Sequence, residues 1–295
     1  MTFFELTNKF PNDKAVIDHF VKIRYNGTPC CLHCASVKVY PKHTEPKNFY
    51  CNDCHNTFSI FKDTIFEKSS TDLVKWMYAI HLFLNGKKGI SGLQLMREIG
   101  VTYKTAWRML RQIRLAMGNE QAQALFTNIV EMDEVYIGGH SRRPNDHTKL
   151  MNKKDKRSLK DKTAVIGVVD RDKKKVHAEV SKTNGKSGDE FMQILQKTTE
   201  KGSTLMTDAH YGYRASKHLG YKHLFVDHTT FYSKNGINNN TIESFWAILQ
   251  RGIYGVYHQV SPKHLQHYVN EFCFRYNNRE NVNIFDTMLR NTILA

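Results

Sequence analysis

No stretch of eighteen or more apolar residues occurs in the 295-residue chain, so the sequence offers no membrane-spanning helix. The N-terminus also lacks a charged run followed by an apolar one, the pattern of a secretory leader, and the expected setting is the cytosol, in association with the nucleoid. Acidic side chains are scarce relative to basic ones, 28 Asp and Glu against 43 Lys and Arg, giving a net charge of +15. That imbalance points to a polyanion partner such as nucleic acid, and no long basic amphipathic helix argues for a membrane surface instead. Cysteine is sparse as well. Of six, five lie between positions 30 and 54, a grouping that argues against a disulfide framework. Cys273 stands apart in an aromatic-rich helical pattern, where a small buried hydrophobe is expected.

What is present begins with Cys31-Leu32-His33-Cys34 and, sixteen residues later, Cys51-Asn52-Asp53-Cys54. Two such knuckles joined by a hairpin, residues 38–40 with 48–50, bring four thiolates into the tetrahedron that one Zn²⁺ takes. Four protein ligands leave no open position, so this metal is expected to be structural. Cys30, His33 and His55 are surplus, although Cys30 competes as a ligand. A redox dithiol is the rival reading, weakened by the pairing of two knuckles. With a packing helix over 12–24, residues 1–62 form the first expected domain.

Residues 63–120 form the second. A helix over 72–84 is followed by one over 90–100 that closes on Gly100, and Thr102 then caps a helix running to 114. Helix, glycine turn and Thr-capped helix is the helix-turn-helix pattern. Lys104, Arg108, Arg111 and Arg114 on the second helix are suited to phosphates or base edges; a plain helical pair with solvated charges is the alternative.

Strand periodicity takes over beyond Gly118, and 125–295 is expected to form the third domain. A strand over 126–138 carries Asp133, a basic loop over 140–162 holds nine Lys and Arg including Arg142 and Arg143, and a hairpin joins 163–170 to 176–180. A crossover helix over 188–198 leads to a strand ending in Asp208. Asn238-Asn239-Asn240 then caps a helix with the apolar stripe Ile242, Phe245, Trp246 and Leu249, and Glu243 lies on its first turn. Three antiparallel-type strands, a helix, a parallel strand and a late helix is the order of a ribonuclease-H-like fold. The expected class is therefore mixed α/β, with the ribbon and helix-turn-helix preceding that core. Three acids delivered by two strands and a helix suit a two-metal phosphoryl-transfer site. Glu131 and Glu134 flank Asp133, and alternation is expected to send both to the opposite face, making them poor ligands whose loss leaves most activity.

With these residues in view, the chain resembles DDE-type insertion-sequence transposases, the ISXO-like zinc-ribbon group related to Merlin elements. The matching pieces are the ribbon cysteines, Lys104-Thr105-Ala106-Trp107-Arg108, Met132-Asp133-Glu134, Thr207-Asp208, Glu243-Ser244-Phe245-Trp246 and Gly252-Ile253-Tyr254-Gly255-Val256-Tyr257-His258. The tail from Ser261-Pro262-Lys263 to Tyr276-Asn277 matches too, so the resemblance spans about residues 15–280. It implies a catalytic triad of Asp133, Asp208 and Glu243 that holds two Mg²⁺ or Mn²⁺, beside the single structural Zn²⁺. It implies double-stranded DNA as partner, both transposon ends and target, handled by a homodimer or higher oligomer. The reaction implied is end cleavage followed by joining of 3′-hydroxyls to target DNA, without a covalent enzyme–DNA intermediate. Arg251, His258 and Lys263 join the helix and loop cations as expected DNA contacts. One departure concerns the basic residue that the family often carries seven positions after the third acid: here it is Gln250, with Arg251 next to it. A DNA-binding regulator with an inactive core, and a structure-specific nuclease, are the alternatives. The intact acids weigh against the first, and joining of 3′-hydroxyl ends separates the second.

Overall fold

The computed structural model describes residues 1–119, 124–138, 162–226 and 236–293. The chain divides into two compact units, Met1–Gln121 together with Glu280–Ala295, and Ala122–Arg279.

In the first unit, helices α1 (Phe3–Lys9) and α2 (Asp13–Tyr25) precede a three-stranded antiparallel sheet of β1 (Val39–Pro41), β2 (Asn48–Cys51) and β3 (Thr57–Ser59). Helices α3 (Leu73–Asn85), α4 (Gly92–Ile99) and α5 (Tyr103–Met117) follow. α3 is the hub, with Trp76, Met77, Ala79, Ile80 and Phe83 all fully buried. Its N-terminus is capped from elsewhere: Asp13 on α2 accepts the Val74 N–H at 3.0 Å. Edge-to-face contacts run from Phe20 through Phe66 to Trp76, with ring centroids 5.0 and 5.2 Å apart. α9 (Ile284–Asn291) buries Phe285, Met288 and Leu289 in this unit against α3 and α5. This corrects the expected third domain, which ran to 295. The apolar face of α9 finds its cover among these helices, so the sheet-bearing unit ends at Arg279.

The second unit is built on a five-stranded sheet of order β6-β5-β4-β7-β8. β5 (Thr163–Asp170) runs antiparallel to both of its neighbours, β4 (Ile129–Ile137) and β6 (Lys175–Val180), while β7 (Thr204–Asp208) and β8 (Lys222–Val226) run parallel to β4. α6 (Gly188–Thr198) and a 3-10 helix over Tyr211–Leu219 cover one face, around Val130, Met132, Phe191 and Tyr213. α7 (Asn240–Gly252), a π-helical turn over Ile253–Tyr257 and α8 (Pro262–Asn277) cover the other, around Val135, Val165, Phe245, Trp246 and Phe272. Two glycines permit that second layer. A Cβ at Gly167 would lie 2.6 Å from the Trp246 ring, and one at Gly252 only 2.0 Å from Phe272, so α7 approaches both the sheet and α8 where no side chain intervenes. Among the described residues no helix is long and apolar enough to cross a membrane.

Candidate active site and metal centre

β4 presents its acids to two different layers. Asp133 faces α7, where the Trp246 indole N–H donates to its Oδ2 at 3.1 Å. The parallel ladder between β4 and β7 covers Ile129–Glu131 against Thr204–Met206 and then stops. Asp133 and Asp208 each stand two residues beyond the last pair, so they are level, on one face, where the strands part. Burial pushes the Asp133 carboxyl well above the usual carboxylate range, and the negative charges of Glu134 and Asp208 push it the same way. The Glu134 peptide N–H and the Trp246 indole oppose them. Asp208 accepts the His210 backbone N–H on Oδ1 at 3.0 Å. Crowded, part-buried carboxylates of this kind concentrate negative charge, and a divalent cation relieves their repulsion.

Glu134 projects to the opposite layer, as alternation requires, and accepts the hydroxyl of fully buried Tyr213 at 2.5 Å. Burial raises its carboxyl; Asp208 adds to the rise, while the Tyr213 bond and His210 oppose it. Glu134 thus feels Asp208 where β4 and β7 part, without sharing the face of Asp133.

Glu131 is a correction. Two residues before Asp133, it lies on the same face, because strand side chains repeat with period two. It is completely buried, ion-paired to Arg171, and its Oε2 accepts the Ile242 N–H at 2.9 Å. The asparagine cluster supplies part of the cap, since Asn238 Oδ1 accepts the Asn240 N–H at 3.3 Å; Asn239 makes no side-chain cap, and the strand carboxylate of Glu131 takes the Ile242 N–H. Asn238 serves Arg171, accepting from its Nη2 on the backbone oxygen at 2.5 Å and on Oδ1 at 2.7 Å. Glu243, next to Ile242, stands exposed on that first turn, one turn ahead of Trp246. The structure thus places Asp133 and Asp208 together and ties the helix turn bearing Glu243 to β4.

The expected DNA contacts separate by exposure. Lys104 and Arg111 are exposed on α5, beside Tyr103 and Trp107, which are 50% and 38% exposed. The sequence signal for these two surface aromatics is spacing: Trp107 lies three residues from Lys104 and four from both Tyr103 and Arg111, which puts all four on one helix face. Arg108 is half-buried, its Nη2 donating to the Glu67 carbonyl at 3.3 Å. Arg114 is a second correction. It is 3% exposed, with its guanidinium over the Phe83 ring at 5.2 Å, because position 114 falls on the stripe of Leu110, Ile113 and Met117 that faces the core. Arg251, His258 and Lys263 are exposed, and His258 holds a φ of 59° just after the π-helical turn. Arg142, Arg143 and the basic loop as far as residue 161 lie outside the described residues.

In the ribbon, the sulfurs of Cys31, Cys34, Cys51 and Cys54 all lie within 4.8 Å of one another, with Cys31–Cys54 and Cys34–Cys51 both at 3.6 Å. A tetrahedron with Zn–S bonds of about 2.3 Å has edges of about 3.8 Å, so the residues fit Zn²⁺. The two knuckles are built alike. The Cys31 and Cys51 carbonyls accept from the backbones of Ala35 and His55, which both take a left-handed conformation, φ 58° and 60°. Cys30 is outside the cluster, which removes it as a competing ligand among the described residues. Because a metal that is bound only by the folded ribbon contributes its binding energy to folding, chelation or Cys51→Ser is expected to unfold residues 30–60. Zinc analysis of the purified chain checks this; a content far below one per chain is the contrary result.

A central antiparallel trio extended by two parallel strands, with paired aspartates where the parallel ladder ends and a glutamate-bearing helix across that face, defines a ribonuclease-H-like core. The model of the ISXO2-like transposase domain matches residues 126–277, and that of the transposase zinc-ribbon domain matches residues 11–57. The chain belongs to the ISXO2-like DDE transposases of the IS1595 family. No curated protein matches it. Among solved structures it is similar to a chain of the simian T-cell lymphotropic virus intasome complexed with a PP2A B56 gamma subunit, at 13% identity and TM-score 0.33, over 65% of this chain and 66% of that one. A pre-cleavage Mos1 transpososome gives 11% identity and TM-score 0.29, over 73% and 78%. A Mos1 paired-end complex with the left transposon end gives 10% and 0.29, over the same shares.

Proposed function

We propose that the chain is a DNA transposase that binds the terminal inverted repeats of its element, cleaves the ends and joins the 3′-hydroxyls to target DNA. The observation that carries this reading is the level placement of Asp133 and Asp208 on one sheet face, where burial and the charges of Glu134 and Asp208 push the Asp133 carboxyl up. Asp133, Asp208 and Glu243 are the proposed ligands of two Mg²⁺ or Mn²⁺. Held there, such ions would activate the attacking water or 3′-hydroxyl and stabilise the leaving oxygen. The protein's own share is to fix the carboxylates: Trp246 holds Asp133, the His210 backbone holds Asp208, and Glu131 anchors the turn that bears Glu243. Residues 63–120 are the proposed end-binding domain, and Lys104, Arg111, Tyr103 and Trp107 present a basic and aromatic stripe suited to a phosphate backbone. Arg251, His258 and Lys263 supply further exposed polar groups for DNA, and a dimer or higher oligomer is proposed to pair the two ends. The net charge of +15 supports work at the nucleoid.

The direct test incubates the purified chain with its element's end DNA, Mg²⁺ and a supercoiled target. Target DNA joined to 3′-hydroxyl ends is the expected product; cutting without joining would make the chain a nuclease, and binding without either a regulator. Within the helix, Lys104→Ala and Arg111→Ala are each expected to weaken end binding and lower the salt slope by about 1. Arg114→Ala is expected to leave that slope unchanged and to lower thermal stability instead. Salt slopes equal to the parent's in all three variants would remove α5 from the interface.

A further inference from the structure

Strand β5 reads Thr-Ala-Val-Ile-Gly-Val-Val-Asp, and a glycine in the middle of a buried strand is costly unless another group needs the space. The group that needs it is Trp246. Gly167 is the register partner of Asp133, and a Cβ there would come within 2.6 Å of the indole Cη2 and 3.2 Å of Ile242 Cδ1. The indole therefore lies against bare backbone beside Asp133, and from there its Nε1–H reaches Asp133 Oδ2 at 3.1 Å. A phenylalanine would fill most of the same apolar space among Val165, Phe245 and Leu249 but would donate nothing. The donor end of the ring is thus placed by two residues that sit opposite one another on neighbouring strands, one without a side chain and the other a hydrogen-bond acceptor.

We infer that Trp246, seated in the notch left by Gly167, is a positioning residue for Asp133, fixing the plane of its carboxylate for a divalent cation. This rests on the proposed reading of Asp133 as a metal ligand. Outer-shell partners of ligating carboxylates typically change metal affinity by about 10–100-fold when removed. The ring plane is set by packing and the N–H offers one direction only, so the bond selects one rotamer of Asp133 before any cation arrives.

The test titrates Mn²⁺ alone into the full chain, following binding by calorimetry or electron paramagnetic resonance. Trp246→Phe is expected to weaken Mn²⁺ binding by about 10–100-fold with a melting temperature close to that of the parent. Gly167→Ala is expected to act in the same direction, because its methyl group displaces the ring. Labelling with 5-fluorotryptophan gives a readout on the unaltered fold: the Trp246 ¹⁹F resonance should broaden at stoichiometric Mn²⁺. Trp246→Phe binding Mn²⁺ like the parent, while Asp133→Asn loses it, overturns the inference and leaves the reading of Asp133 standing. Mn²⁺ bound by the parent without broadening of the Trp246 resonance also overturns it. Undiminished Mn²⁺ binding by Asp133→Asn instead sinks the ligand assignment, and the inference with it.

Discussion

Asp133→Asn, Asp208→Asn and Glu243→Gln are each expected to abolish strand cleavage and joining while the chain still folds and binds end DNA. Each substitution removes one negative charge with little change in volume, and a pair of divalent ions depends on that charge and on the fixed oxygen geometry. Relief of crowding makes Asp133→Asn in particular expected to raise, not lower, thermal stability in the absence of metal. Burial and the charges of Glu134 and Asp208 already disfavour its ionised form, and the amide carries no charge to bury. End binding is expected to tighten slightly, since less negative charge then faces the phosphates. Cleavage of labelled end DNA, run beside thermal melts, reads all of these effects. Full activity in Glu243→Gln would mean that the helix contributes a different residue.

Glu131→Gln is expected to be nearly as damaging, but by a different route and with a different signature. The amide can still accept the Ile242 N–H, yet it leaves the Arg171 guanidinium without its carboxylate. Breaking a buried pair by removing one partner costs about 3–5 kcal/mol. At about 2–4 °C per kcal/mol for a unit of this size, the melting temperature should fall by roughly 6–20 °C. Activity should fall with it, because the first turn of α7 loses part of its anchor to β4. Glu134→Gln, whose side chain need only keep accepting from Tyr213, should cost much less. Variants of the proposed metal ligands are expected to lose chemistry without melting, whereas Glu131→Gln is expected to melt first. Parent-like melting and cleavage in Glu131→Gln would show that Arg171 and Asn238 hold the turn without it.

Local chemistry made much of this legible in the sequence. Four cysteines in two C-x2-C pairs can scarcely do anything but converge, since each knuckle is closed by its own backbone bonds. Strand periods, the crossover and the stripe on α7 gave the order of elements, and the sheet order follows it. What stayed hidden involves partners far apart in the chain or the choice of a helix face. Arg114 reads as one more cation on a basic helix until Phe83 and the core show which way it points. α9 follows the sheet-bearing unit in sequence, yet its apolar stripe is covered by α3 and α5.

The sequence by itself determined the metal ribbon, the alternation of strands and the family, because each depends on spacing that no distant residue can alter. Tertiary structure alone decided which acid is structural and which faces the proposed site. Glu131 meets Ile242 across 111 residues and Asp133 meets Trp246 across 113, so the same strand face serves as a helix cap at one position and a proposed ligand at the next. Alternation puts both on that face; only the docking of α7 over Gly167 decides which one it covers and which one it leaves partly exposed.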